Sequence, residues 1–148
     1  MVDTRPIRSG TVRDFRWNLE AGGEDEQYWT GLEVSGPDGY RCSGGMGGPK
    51  LWGDDLINVY TARSDDGPVG IVVRAVPAVV RIVLRMRSGD ESDLGLSGPD
   101  IIDGLRFFVG FVWPLPPSGE FGLDRLFGLD GDNREVASYA ISFWDRRR

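Results

Sequence analysis

The sequence predicts an all-β domain built from short antiparallel strands. Three observations lead to this prediction. Hydrophobic residues recur with a period of two along most of the chain, clusters of Gly, Pro and Asp interrupt that pattern, and few stretches have the length or period of a helix. With 148 residues, 40% of them hydrophobic, the chain can bury one core. We therefore expect a single domain over residues 1–148, ending in a short charged tail at 145–148.

The first half of the chain contains four strand candidates. Apolar and polar residues alternate at 15–19, and the alternation returns at 28–34 after an acidic loop. The sequence SGPDG at 35–39 has the composition of a turn and leads into a short strand at 40–42. Residues 56–63 form the next strand candidate, and the sequence SDDGP that follows predicts another turn.

The clearest alternation spans residues 78–87, where apolar side chains face one side and arginines face the other. The apolar row consists of Val80, Ile82, Leu84 and Met86. Residues 69–75 form a second buried row, with Val72 and Arg74 on the opposite face. Because proline has no N–H for a central ladder, Pro77 predicts a hairpin or a bent strand pair between the two segments.

Two further segments complete the strand pattern. Residues 106–113 are apolar on both faces, as expected of a strand in the middle of a sandwich. The sequence DGDN at 130–133 predicts a hairpin turn, because Gly and Asn tolerate positive φ. The strand after this turn has an inward row at Ala137, Tyr139, Ile141 and Phe143. Only residues 99–105 and 122–126 could hold a brief helical turn.

These segments amount to about seven to nine short antiparallel strands. That number in a chain of this length predicts an immunoglobulin-like β-sandwich, with a small β-barrel as the runner-up. The Cys…Trp…Cys pattern of antibody domains is missing, so the prediction concerns the architecture alone.

The order of segments from Leu56 onward also resembles that of small actinobacterial immunoglobulin-like β-sandwich proteins of unknown function. The likeness rests on VYTARSDDGPVGIVVRAVPAVVRIVLRMRSGDESD, then RFFVGFVWPLPP, then LFGLDGDNREVASY. In those proteins a strand pair precedes an FF strand that ends in prolines, and a hairpin around an Asp-Gly turn closes the domain. The resemblance implies the sandwich fold, an often secreted location and no catalytic residue. This chain differs in lacking a visible leader and a second cysteine.

Residue types that supply much of protein chemistry are scarce in this chain. It contains no histidine, one cysteine (Cys42) and one lysine (Lys50). The composition disfavours tetrahedral zinc, histidine-based triads and cysteine proteases. We therefore predict a non-enzymatic protein that needs no metal and no cofactor.

Charge and hydropathy limit the partners and the location. The formal net charge of -6 disfavours general nucleic-acid binding. No apolar run approaches the roughly 20 residues that span a bilayer, so we expect no membrane span. A single cysteine cannot form an internal disulfide, which favours the cytoplasm. A secreted location is the alternative if an N-terminal leader was removed.

The Gly-rich loop at 43–53 is a candidate ligand cradle, because backbone N–H groups of such loops can approach an anion. It contains Lys50 and Trp52. Pro49 and Leu51 break the P-loop pattern, however, and loops of this composition are usually mobile. The sequence therefore favours a flexible surface loop over a cradle.

Aromatic and arginine side chains are the other binding candidates. Together with Lys50, the candidate residues are Trp29, Trp52, Trp113, Arg81, Arg85 and Arg87. Such side chains are typical anchors of interfaces and predict an interaction or assembly module that binds a protein partner or forms a homo-oligomer. A small-ligand or carbohydrate-binding domain that uses the loop at 43–53 is the alternative. Arg74 extends the arginine row in this interpretation. Acids on neighbouring strands would neutralise the row as well as an acidic partner would.

Clustered acids leave a carboxylate-dependent hydrolase as a second alternative, because two carboxylates a few ångströms apart can hydrolyse glycosides. The clusters lie at 54–55, 65–66 and 90–93. Acids in loops are usually solvated, which favours a structural role for them. The sequence DGDN with Glu135 lacks the spacing of an EF-hand and predicts a turn rather than a calcium site.

Overall fold

The computed structural model describes residues 3–62, 67–96, 101–113 and 122–141, and it shows two antiparallel sheets. The first sheet contains four strands that pair in chain order. They are β1 (Arg5–Val12), β2 (Phe15–Glu24), β3 (Gln27–Ser35) and β4 (Arg41–Met46). Burial alternates along β2 and β3, so each strand has one inward and one outward row.

The second sheet contains seven strands. They are β5 (Ile57–Ala62), β6 (Val69–Ala75), β7 (Arg81–Met86), β8 (Glu91–Leu96), β9 (Arg106–Val112), β10 (Leu123–Leu129) and β11 (Glu135–Ala140). Their order across the sheet is β11-β10-β7-β8-β9-β6-β5. The predicted all-β, sandwich-like fold is confirmed. Two strands that the sequence did not predict, β1 and β8, bring the number among the described residues to eleven.

The seven-stranded sheet curls, so that the half containing β7, β10 and β11 covers the half containing β5, β6 and β9. Within the curl lies a core of apolar side chains, which we call the inner core. It comprises Ile57, Val59, Val69, Ile71, Val73, Ala75, Val79, Ile82, Leu84, Leu94, Phe108, Leu123, Leu126 and Ile141.

The four-stranded sheet packs on the outer side of β5, β6 and β9. A second core, which we call the interlayer core, fills the space between them. It comprises Leu19, Ala21, Tyr28, Leu32, Val34, Cys42, Ala62, Val72, Leu105, Phe107 and Val109. Glycines allow a close approach here, because a Cβ at Gly44 would lie 2.9 Å from the Cα of Ala62. The chain therefore forms three β layers, with β5, β6 and β9 in the middle.

This arrangement buries all seven residues of β6 on both faces. Val69, Ile71 and Val73 face the inner core, whereas Val72 and Arg74 face the four-stranded sheet. The interpretation that Arg74 extends the arginine row of residues 81–87 is wrong, because β6 and β7 are not neighbours and the third layer buries Arg74.

The predicted pairing of residues 69–75 with 78–87 around Pro77 is also wrong. β6 pairs with β5 and β9, whereas β7 pairs with β8 and β10. The chain therefore crosses from one half of the curled sheet to the other at this point. No described residue at 101–105 or 122–126 is helical: Ile102 and Leu105 form a β-bridge, and β10 begins at Leu123.

Both predicted turns within the described residues are confirmed. The turn at 35–39 contains Asp38 and Gly39 at φ 59° and 79°. In the hairpin between β10 and β11, the Asp130 carboxylate accepts backbone N–H bonds from Asp132 and Arg134. Residues 64–66 of the predicted turn at 64–68, Phe143 and the tail at 145–148 lie outside the described residues. None of the described segments forms a helix long and apolar enough to cross a membrane.

Candidate functional site

A groove of about 580 Å³ runs along the outward face of the four-stranded sheet. Its lining residues are Pro6, Asn18, Glu20, Trp29, Gly31, Leu32, Glu33, Ser43, Gly44 and Gly45. β2, β3 and β4 supply most of these residues from their outward rows. A second groove of about 350 Å³ shares Asn18, Glu33 and Ser43 and reaches Arg41. The two grooves therefore form one continuous open surface.

The Trp29 indole lies against the sheet across three glycine positions. A side chain at Gly45 would collide with the Trp29 ring, a Cβ at Gly31 would lie 3.0 Å from Nε1, and one at Gly47 would lie 3.7 Å from Cε3. Trp29 is nevertheless 37% exposed, so the ring face turned away from the sheet is open to solvent. The lack of side chains at these glycines therefore lets the Trp29 ring pack directly on the backbone of the sheet.

Polar side chains stand beside this ring. Asn18 pairs with Glu33 across β2 and β3, and Glu33 pairs with Ser43 across β3 and β4. Glu20 pairs with Gly31, and its Oε1 accepts a hydrogen bond of 2.6 Å from Thr4 Oγ1. The position of a Gly31 Cβ lies 3.6 Å from Glu20 Oε2 and 3.0 Å from Trp29 Nε1. The Trp29 N–H and the Glu20 carboxylate therefore both lie close to Gly31 on the outward face.

On the other side of the sheet, Tyr28 ties β3 to the rest of the molecule. Its hydroxyl donates to Asp103 Oδ2 at 2.6 Å, and Arg5 pairs with Asp103 Oδ1 at 2.8 Å. Burial raises the pKa of Tyr28, and the hydrogen bond to Asp103 adds to the effect. For Asp103, burial opposes ionisation, but the bonds from Tyr28 and Arg5 outweigh it and hold its pKa below the usual value.

Arg74 is fully buried in the interlayer core next to Tyr28. Its NH1 donates to Thr30 Oγ1 and its NH2 to the Pro49 carbonyl, both at 3.0 Å. Its guanidinium carbon lies 5.4 Å from the centre of the Tyr28 ring. Burial lowers the pKa of Arg74. Among the described residues its Nε has no hydrogen-bond partner, and no carboxylate lies within ion-pair distance.

The Gly-rich segment at 43–53 is bonded to neighbouring parts of the chain along much of its length. Its first part, up to Met46, belongs to β4. Beyond the strand, the Gly48 carbonyl accepts the Tyr28 amide at 2.7 Å, and the Lys50 amide bonds the Asp25 carbonyl at 2.9 Å. Lys50 Nζ pairs with Asp25 at 2.9 Å and donates to the Asp103 carbonyl at 2.8 Å. The prediction of a surface loop at 43–53 is wrong for residues 43–46, which belong to β4. The bonds above and the Arg74 bond to Pro49 connect residues 48–50 to neighbouring parts of the chain.

The predicted arginine row makes contacts within the molecule. Arg81 pairs with Asp93 at 3.0 Å, and Arg85 pairs with Asp124 at 2.7 Å. Arg87 Nε donates to the Leu123 carbonyl at 3.4 Å. As the sequence allowed, acids on neighbouring strands neutralise much of this row.

The predicted tryptophans lie in separate places. Trp52 is 51% exposed and rests on Gly48, so it borders the same segment as Trp29. Trp113 lies elsewhere, with the Arg13 guanidinium stacked on its ring at 3.8 Å. Of the predicted binding residues, only Trp29 lines the groove of about 580 Å³, and none of them lines the groove of about 350 Å³.

The acid clusters predicted as hydrolase candidates lie in turns or at strand edges. Asp55 accepts a hydrogen bond of 3.4 Å from the side-chain Nδ2 of Asn58, Asp90 accepts one from the Ser88 hydroxyl, and Asp93 pairs with Arg81. The pair at 65–66 lies outside the described residues. In the part of the chain that the structure describes, no group of three or more His, Cys, Asp or Glu residues is placed to hold a metal ion.

Cys42 is buried in the interlayer core, and burial raises the pKa of its thiol. This environment suits a small apolar residue rather than a nucleophile.

Sequence reasoning missed the polar half of the groove, namely Asn18, Glu20, Glu33 and Ser43. The alternation of apolar and polar residues along β2 and β3 could have identified these residues. If Leu19 and Leu32 point inward, then Asn18, Glu20 and Glu33 point outward, and the tight β2–β3 connection brings them side by side. Comparison of the chain with protein-family models, with curated proteins and with solved structures found no match.

Proposed function

We propose that this chain is a non-enzymatic binding module that holds a saccharide in the groove along the outward face of the four-stranded sheet. The observation that carries the proposal is the open face of Trp29 beside Glu20, Glu33, Asn18 and Ser43. Ligand sites generally combine an apolar wall with a few well-placed polar groups, and this groove has both.

A sugar ring fits this combination chemically. One face of a pyranose presents C–H groups that pack on an aromatic ring, and its edge presents hydroxyls. A hydroxyl both donates and accepts a hydrogen bond. Close to Gly31, Trp29 Nε1 is a donor and the Glu20 carboxylate is an acceptor for hydroxyls of a bound sugar. The glycines and the anchored segment hold the indole in place before the ligand arrives, which lowers the entropic cost of binding.

The openness of the groove supports binding rather than catalysis. Asn18, Glu20, Glu33 and Ser43 are not buried, and the groove has no cover among the described residues. Catalysis by carboxylates depends on surroundings that exclude water and separate the roles of acid and base. A ligand that is held on an exposed sheet face needs neither condition.

Titration calorimetry with a panel of oligosaccharides tests the proposal. The panel contains oligomers of glucose, of N-acetylglucosamine and of glucosamine. We expect at least one to bind, and we expect Trp29→Ala to weaken that binding about tenfold or more, which corresponds to losing about 1.4 kcal/mol. Trp29→Phe keeps a smaller ring and should retain part of the affinity.

Trp52→Ala is the matched control, because Trp52 is the more exposed tryptophan and lies outside the groove. It should leave saccharide binding unchanged. Absence of binding to the whole panel, or equal losses in the two alanine variants, would contradict the proposal.

The interaction or assembly module predicted from the sequence is the second candidate. The observation in its favour is that Trp52 and Ile101 are each about half exposed, as anchors of an interface would be in an isolated chain. Light scattering distinguishes the two candidates. A homo-oligomer that Trp52→Ala dissociates would support assembly, and a monomer would count against self-association.

A further inference from the structure

Two buried hydrogen-bond donors lie between the sheets without a partner in the described part of the chain. Arg74 is fully buried, and its Nε has no hydrogen-bond partner among the described residues. The same holds for the hydroxyl of Tyr60, whose oxygen is also buried. Such groups are rare in folded proteins, because a buried donor without an acceptor loses its hydrogen bonds to water and gains none in return.

The two donors belong to the same face of neighbouring strands. On β5, Tyr60 pairs with Val72, which lies two residues before Arg74 on β6. Tyr60 and Arg74 are therefore diagonal neighbours with Cβ atoms about 7 Å apart, and both side chains face the interlayer core. At this spacing, two long side chains can contact one small group that lies between them.

The described residues around Arg74 supply no counter-charge. Its terminal nitrogens donate to the Thr30 hydroxyl and to the Pro49 carbonyl, which are both neutral acceptors. The ring of Tyr28, 5.4 Å from the guanidinium carbon, is neutral as well. No carboxylate of a described residue lies within ion-pair distance of Arg74. A buried charge in these surroundings is destabilising unless an opposite charge compensates it.

The Tyr60 hydroxyl is a donor in a positive field. Burial raises the pKa of Tyr60, so the hydroxyl keeps its proton at neutral pH. Of the two charges that act on it, Arg74 lowers this pKa by more than Glu20 raises it. Glu20 lies on the outward face of β2, where Thr4 bonds it. An anion is therefore favoured over a cation beside the Tyr60 hydroxyl.

From this geometry we propose that Arg74 Nε and the Tyr60 hydroxyl bind one small monovalent anion, such as chloride, between the two sheets. The site is separate from the saccharide groove and does not depend on it. A halide ion only accepts hydrogen bonds, which matches two donors. A small ion suits the close approach of the sheets at Gly44, where a Cβ would lie 2.9 Å from the Cα of Ala62. Tyr60 is only half-buried and belongs to the edge strand β5, so an ion can enter from this edge.

Thermal unfolding in sodium chloride and in sodium gluconate of equal ionic strength tests for the site. Gluconate is too large to lie between two packed layers. At about 0.5 M salt, we expect the Tm of the native protein to be about 3 °C higher in chloride, because a ligand that binds only the folded state raises the Tm. Equal ionic strength keeps the screening of surface charges the same in both salts.

Substitution of the two donors locates the effect. Arg74→Met removes the charge and should unfold at the same temperature in both salts. Tyr60→Phe keeps the ring and removes only the hydroxyl, so it should lose about half or more of the difference. Tyr139→Phe is the matched control, because it removes the hydroxyl of a half-buried tyrosine that packs on the inner core. It should keep the full difference.

Crystals grown in sodium bromide locate the ion directly. We expect an anomalous peak within hydrogen-bond distance of Arg74 Nε and the Tyr60 hydroxyl. Bromide peaks confined to the surface would mean an adventitious ion only. Equal Tm values in the two salts, or the same difference in Arg74→Met as in the native protein, would also overturn the inference. Neither experiment uses a saccharide, so its failure leaves the proposed function standing, and failure of the saccharide panel leaves the anion site standing.

Discussion

The two faces of β6 are buried in very different surroundings. Val69, Ile71 and Val73 enter the inner core, whose buried members are all apolar. On the other face, Arg74 enters the interlayer core, where Thr30 and the Tyr28 hydroxyl are buried as well. The inner core stabilises the fold by removing apolar area from water. The interlayer core also buries a charge, which costs free energy unless its bonds compensate.

The difference reflects what each core supports. The inner core joins strands of a single curled sheet. The interlayer core joins that sheet to the one bearing the groove. Its polar groups bond loops as well as strand β3: Arg74 bonds Pro49 and Thr30, and Tyr28 bonds Asp103. We infer that polarity is retained in the interlayer core because it fixes the segment around Trp29, whereas the inner core needs only good packing.

Two neighbouring phenylalanines on β9 allow a direct comparison of the cores. Phe108 lies in the inner core and Phe107 in the interlayer core, and both are almost fully buried. We expect Phe108→Ala to lower the free energy of unfolding by about 3–5 kcal/mol. Phe107→Ala should cost about 1 kcal/mol less, because Phe107 pairs with Arg74 and water can enter the cavity to solvate polar groups there.

Urea denaturation of both variants measures the two free energies. A larger loss for Phe107→Ala would show that the interlayer core is the better packed of the two. It would also contradict the distinction between a core that only stabilises and one that positions loops.

The sequence carried enough information for the inner core and for half of the candidate site. The apolar run at 106–113 predicted a strand in the middle of the structure, because both of its faces are apolar. The valine-rich alternation at 69–75 predicted a strand with one buried row. Trp29 was predicted as a binding residue because it opposes an inward row. The local pattern of apolar and polar residues predicted burial correctly wherever a strand packs against the one opposing layer that every β-sandwich contains.

The rest depended on long-range pairing. A strand with one arginine among valines looks half-exposed, and only the third layer makes Arg74 a buried residue. β8 escaped prediction because its sequence, ESDLGL, is acidic and glycine-containing, and it becomes a strand by pairing with β7 and β9. The glycines of the 43–53 segment looked flexible because their packing against two tryptophans is not visible in sequence.

Asp103 links the polar contacts of the interlayer core to pH. Its pKa is lowered in the folded state, so its ionised form stabilises the fold above the unfolded-state pKa of about 4. That stabilisation is lost as the pH falls through the lower folded-state pKa. We expect Asp103→Asn to lower the free energy of unfolding by about 1–2 kcal/mol at neutral pH, because it removes charge-assisted bonds to Tyr28 and Arg5.

The measurement is urea denaturation of the native protein and the variant at several pH values. The difference between them should shrink below about pH 4. Asp54→Asn, a change at an exposed aspartate, is the control and should have little effect. A difference that stays constant down to acid pH would mean that the Asp103 bonds do not depend on its charge.

Arg74→Met should have the smallest effect on stability and the clearest effect on the segment around Trp29. Methionine fills much of the same space without a charge, and removal of an unpaired buried cation offsets the loss of its two hydrogen bonds. We expect the free energy of unfolding to change by no more than about 1 kcal/mol.

The variant should, however, loosen the segment around Trp29, because Pro49 loses the hydrogen bond from Arg74 that holds this segment against β3. Native-state hydrogen exchange at the Tyr28 and Lys50 amides, which bond Gly48 and Asp25, should therefore accelerate. Amides of the inner core strands serve as the internal reference and should exchange at unchanged rates. A loss of several kcal/mol with unchanged exchange at Tyr28 and Lys50 would mean that Arg74 stabilises the whole fold, and the two faces of β6 would then have the same role.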